Sequence, residues 1–111
     1  MNKFFFFLVS VGFLTGVISN AAIYKGQKEY VKQCTKCHES GQVFIAERKI
    51  KDYKKLMKKK GALLAELHLK NKDAQKSWKY FKSTKYTKKT KHLAQFLIEY
   101  AKDSGNVPAC N

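Results

Sequence analysis

Cys34, Cys37 and His38 stand in the spacing C-x-x-C-H, inside the stretch QCTKCHES. Two thiols three residues apart can close a redox disulfide, supply half of a zinc site, or form two thioether bonds to the vinyl groups of a haem. In the third case the adjacent imidazole reaches the iron from the same side. The remaining side chains able to ligate a metal are few: His68, Met57 and His92, with Cys110 close to the end of the chain. Scattered carboxylates such as Glu39, Glu47 and Glu66 form no pair and read as solvated positions, and Ser, Thr and Tyr form no nucleophile constellation.

The elements that must hold these groups read as helices. Apolar residues recur at three and four, no run alternates over strand length, and the one proline is Pro108. A first segment runs from about Ile23 into the C-x-x-C-H, with Gly26, Tyr30 and Cys34 four apart on one side. A second, from Ile50 to Lys60, groups Tyr53, Leu56 and Met57, and Gly61 suits its C-terminal end. A third, from Ala62 to Lys70, groups Leu64, Leu67 and His68. Asp73 is placed to cap a short helix carrying Ala74, Trp78 and Phe81. The last helix takes Thr90 as its N-cap, carries Leu93, Phe96, Leu97 and Tyr100 at i, i+3, i+4 and i+7, and ends at Gly105. The expectation is an all-α domain.

This context narrows the chemistry. A zinc site needs a second ligand pair, and His68 and His92 lie 24 apart, which is not a short finger spacing. A thioredoxin-like site needs a βαβ pattern, and none is present. One covalent haem c, filling the interior of a small helical domain, is the reading that the residues favour.

Residues 1–21 look like a cleavable secretory signal peptide: a basic MNK start, an uncharged apolar run from Phe4 to Ile18, and small residues up to Ala21. The run is short of the ~20 residues that span a bilayer. The expected domain is therefore 22–111, in an oxidising, periplasmic compartment, and no cysteine lies at the cleavage point to carry a lipid. Loss of Lys3 with the leader changes the formal charge from +15 to 15 − 1 = +14. The cations comprise 22 Lys and the single Arg48, a balance unsuited to bidentate reading of phosphates and bases, so nucleic acid is not an expected partner. A basic surface would instead steer the chain towards acidic protein partners, and touch membranes only transiently or through those partners.

GQKEYVKQCTKCH resembles the first helix of class I (mitochondrial-type) cytochromes c, with a Gly eight residues and an aromatic four residues before the first Cys. HLAQFLIEY resembles that family's last helix. The resemblance covers both ends of the mature chain. It implies a cytochrome c-like helical domain wrapped around one haem, with Cys34 and Cys37 as thioether anchors and His38 as proximal ligand. It also implies that Gly26 and Tyr30 cross Leu93 and Phe96. The middle departs from the family: no proline follows the C-x-x-C-H closely, and SWKYFKSTKYTKK, where the family's Met ligand usually lies, has no Met.

The far side of the iron is thus the open position. His68, sharing a helical face with Leu64 and Leu67, is placed first, and Met57, beside Tyr53 and Leu56, second. Lys79, Tyr80 and Cys110 are lesser candidates, and His92 sits at the edge of its apolar stripe, nearer the surface. The expected function is one-electron transfer by a monohaem periplasmic cytochrome c that is not itself an enzyme. Two alternatives accompany it: a haem subunit of a larger oxidoreductase, with Cys110 in an intersubunit disulfide, and a gas- or ligand-binding haem protein.

Overall fold

A computed structural model describes residues 20–108. The expected leader, apart from Asn20 and Ala21, and Cys110 lie outside the described residues. Among the described residues the secondary structure is helical, with no strand, and no helix is long and apolar enough to cross a membrane. The helices are α1 (Asn20–Glu29), α2 (Gly41–Phe44), α3 (Ile50–Leu56), α4 (Lys58–Leu69), α5 (Gln75–Phe81) and α6 (Thr84–Glu99).

The largest helix–helix contact is between α1 and α6. It forms because Gly26 has no side chain: a Cβ there would lie 2.1 Å from the His92 carbonyl oxygen and 2.7 Å from Phe96 Cβ. The missing side chain lets the two backbones close. Tyr30 follows one turn later and its ring meets that of Phe96, with centroids 5.7 Å apart. Tyr30, Leu93 and Phe96 are all buried, and the contacts seen at the crossing join Gly26 to the His92 carbonyl and to Phe96, and Tyr30 to Phe96.

Two start signals differ from expectation. Ser83, not Thr90, caps α6, its hydroxyl accepting from the Tyr86 amide at 3.3 Å. Thr90 is buried inside the helix and donates its hydroxyl to the Thr87 carbonyl. The polar run TKYTKKT lacks a strong apolar signal, yet Tyr86 one turn before Thr90 is buried and extends the inward face. Asn71, not Asp73, begins the short 3₁₀ turn Lys72–Ala74 before α5, its side chain accepting from the Asp73 amide at 2.9 Å.

The second helix also ends earlier than expected, at Leu56 rather than Lys60. Lys59, Lys60 and Gly61 are all left-handed, with φ of 53°, 55° and 71°. For the two lysines this conformation costs roughly 1–2 kcal/mol each. Tyr86 offsets part of that cost by donating its hydroxyl to the Gly61 carbonyl at 2.7 Å. A Cβ on Gly61 would meet that same hydroxyl at 2.1 Å, so glycine is required by both backbone and neighbour. This turn sets the direction of α4, and α4 carries His68.

Buried tyrosines tie the remaining segments. Tyr30 donates to the Glu39 carbonyl and Tyr53 to the Ile45 carbonyl, each at 2.7 Å. These bonds pin α2 and the segment after the C-x-x-C-H, where no proline does so. The tail is held through Lys102 N to Arg48 O and Ile50 N to Asp103 Oδ1, both 2.8 Å.

Candidate functional site

The last turn of α1 widens over Tyr30–Cys34, where the Thr35 amide bonds back five residues to the Tyr30 carbonyl at 3.2 Å. Single widened turns of this kind are frequent at functional sites. The chain then folds onto one acceptor. The Cys34 carbonyl takes both the Cys37 amide, at 3.2 Å, and the His38 amide, at 2.8 Å. Cys34, Cys37 and His38 therefore share one tight turn and line one wall of a cavity of about 390 Å³. Its size falls in the roughly 300–1,000 Å³ range of small-molecule and cofactor sites.

The opposite wall belongs to α4 and α5, with Leu93 and Leu97 of α6 behind. His68 lies on that wall, its ring centroid 6.0 Å from that of His38 and the two ring planes 89° apart. Two imidazoles sharing one metal ion need a similar distance. With a metal–nitrogen bond of about 2.0–2.1 Å on each side, two imidazoles whose ring nitrogens point at one ion sit at a comparable separation.

The protonation pattern of His68 suits a ligand. Its Nδ1 lies 2.7 Å from the Leu64 carbonyl oxygen. A carbonyl can only accept, so Nδ1 carries the proton and the neutral ring keeps its lone pair on Nε2. Phe81 stacks on the ring at 4.2 Å, and the His68 carbonyl accepts the Trp78 indole N–H at 2.7 Å. Phe44 stacks on His38 in the same way at 4.1 Å. Burial, and then the nearby His68, holds the His38 pKa below the usual histidine value, which favours the neutral, ligating form.

The thiols carry a different message. Neither Cys34 nor Cys37 is in a disulfide, and Cys37 is exposed. Burial, followed by the charges of Glu29 and Cys37, pushes the Cys34 thiol up to about 12. A dithiol oxidoreductase needs the opposite shift, a lowered pKa that makes thiolate at neutral pH. Among the described residues no group of three or more His, Cys, Asp or Glu is placed to hold a metal ion.

The other sequence candidates separate cleanly. Met57 is buried in the core and does not line the cavity. Lys79 is exposed. Tyr80 does line the cavity, but its hydroxyl is donated to the Glu29 carboxylate at 2.7 Å, and burial, that bond and nearby negative charge raise its pKa strongly. His92 is half-buried under α1, away from this cavity. Glu39, Glu47 and Glu66 are exposed, the last paired with Lys70.

Sequence reasoning missed Phe44 as the partner of His38, and Glu29 as a buried acid. Phe44 was findable only in retrospect, as the aromatic of VFIAE six residues after His38. Glu29 is 5% exposed and follows Ile23 and Gly26 at three-residue steps, a spacing that marked it as inward. When the chain is set beside known proteins, no family model matches it, and no curated protein or solved structure does either.

Proposed function

We propose that this chain is an exported monohaem c-type cytochrome of the class I kind, with two histidine ligands, acting as a one-electron carrier rather than an enzyme. The observation that carries the reading is the pair His38 and His68, facing across the cavity at 6.0 Å beside the C-x-x-C turn. Cys34 and Cys37 would hold the haem edge through thioethers, His38 would be the proximal ligand and His68 the distal one. The bound haem supplies the ferric–ferrous couple, with a lower potential than a His/Met site would have.

The chain's own contribution is positional. The Leu64 carbonyl fixes the His68 tautomer and, by accepting a hydrogen bond from Nδ1–H, makes Nε2 a stronger electron-pair donor. Phe44 and Phe81 hold the two ring planes. Leu56, Leu64, Leu93 and Leu97 exclude water from the cavity walls. With both imidazoles fixed from outside the site, little has to move when charge changes. The formal charge, +14 once Lys3 leaves with the expected leader, supplies the long-range attraction to an acidic redox partner.

The test is covalent. Expressed with its leader in a bacterium that attaches haem c, the exported chain should gain the mass of one haem and lose the leader. A Cys34→Ser, Cys37→Ser variant should lack the haem mass and the visible absorption. An unmodified wild-type mass in that host refutes the proposal.

A further inference from the structure

A second cleft, of about 730 Å³, lies between α1 and the N-terminal half of α6. Lys25, Lys28 and Lys32 line one side and Lys85 and Lys89 the other. The row from Lys25 to Lys32, along α1 and the widened turn after it, covers seven residue steps, about 10 Å at 1.5 Å per step. The cleft's one lining carboxylate, Glu29, is buried and already takes the Tyr80 hydroxyl. Among the described residues no carboxylate comes within ion-pair distance of these lysines, although the charge of Glu29 still reaches Lys85. Lys28 has only the face of Tyr24, 5.6 Å away.

The lysines are also placed against local preference. Lys85 sits in the first turn of a 16-residue helix whose first turn holds no acid, where the helix dipole disfavours a cation. The neighbouring Lys32 holds the Lys85 pKa below the usual lysine value, with the charge of Glu29 opposing. His92 lines the same cleft, and its Nδ1 is shut from solvent with no hydrogen-bond partner among the described residues. Sequences break such rules where a function requires it.

We infer that this cleft binds a short chain of phosphates, a linear polyanion of the oligophosphate class. The charge density selects the ligand. An acidic peptide shows same-face carboxylates only every ~5–7 Å, as a helix or as a strand. It would bring about two charges to the 10 Å row. A phosphate chain carries a charge on every unit and meets both lysine rows at once. Lysine serves as a point-charge phosphate ligand without needing a bidentate fork. The inference does not rest on the haem reading, because Cys34, Cys37, His38 and His68 do not line this cleft.

The experiment is calorimetric titration of inorganic tripolyphosphate into the purified full chain at low ionic strength. Saturable binding of one equivalent is expected. Lys32→Gln with Lys85→Gln should weaken it by about 10-fold or more, while Lys54→Gln with Lys55→Gln, the same charge loss on α3, should change it less than about 2-fold. Lys32→Arg with Lys85→Arg, which keeps the charge, should retain binding, separating a lost site from a lost fold. Equal weakening by the α3 pair, or no saturation, overturns the inference. So does equal affinity for an oligoglutamate of matching charge, or cleft-dependent capture by anionic phospholipid vesicles without tripolyphosphate binding; these outcomes would assign the cleft to an acidic polypeptide or to a membrane surface.

Discussion

Replacing Gly26 with alanine reverses an ordinary expectation. In an open helix Gly→Ala stabilises by about 1 kcal/mol, through helix propensity. Here the new Cβ would sit 2.1 Å from the His92 carbonyl oxygen and 2.7 Å from both the carbonyl carbon and Phe96 Cβ. Relaxed carbon contacts need about 3.5–4.0 Å, so α1 and α6 must part by roughly 1 Å where they cross. Neither atom set can yield locally, because the carbonyl is held in α6 and Phe96 is fully buried. Overpacking of this kind costs up to about 3 kcal/mol, and subtracting the propensity gain leaves a net loss of about 2 kcal/mol. For a domain of this size that lowers the melting temperature by roughly 10 °C. Urea and thermal unfolding of the paired proteins give the answer. Gly105→Ala is the control: it has φ of 78° but nothing within 4 Å, so its loss, about 1 kcal/mol, reflects backbone alone. A stabilised Gly26→Ala protein would refute the close crossing, and with it the placement of Leu93 and Leu97 behind the cavity.

Three further outcomes are expected. Ser83→Ala removes the α6 cap and should cost about 1 kcal/mol in denaturant titration, whereas no loss would move the helix start. Burial pushes Tyr53 from 10.0 up to about 12. Its folded pKa is raised above the unfolded one, so its contribution is complete below pH 10 and disappears as pH rises towards about 12. Stability should therefore fall across that window, and fall less in Tyr53→Phe; an equal fall would contradict the assignment. Electron transfer to an acidic partner should slow steeply between low and physiological ionic strength, and a rate flat in salt would remove the role given to the basic surface.

How much of this could be read from residues alone follows from the range of the interactions. The crossing was readable because a glycine and an aromatic four apart, and a leucine and a phenylalanine three apart, are local patterns that lead to one contact. His68 reads as inward because it shares a face with Leu64 and Leu67; Leu64 packs on the core while Leu67 is 51% exposed, and Met57 lies in the buried cluster with Tyr53 and Leu56. Thr90 misled because the true start of α6 is decided by Tyr86 reaching Gly61 across 25 residues, a contact without a local trace. The early end of α3 has the same origin, since the left-handed turn at Lys59–Gly61 is supported by that tyrosine. The stacks on His38 and His68, and the Tyr80–Glu29 bond, join residues from separate helices, so spacing along the chain could not indicate them.

The central claim is that His38 and His68 share one iron, and the optical spectrum of the holoprotein tests it most directly. Wild type and Met57→Ala should both show a six-coordinate low-spin ferric spectrum without the sulfur-to-iron charge-transfer band of Met ligation. His68→Ala should lose the low-spin form and, once reduced, bind carbon monoxide without delay. A wild-type charge-transfer band that disappears in Met57→Ala, with His68→Ala unchanged, would contradict the account.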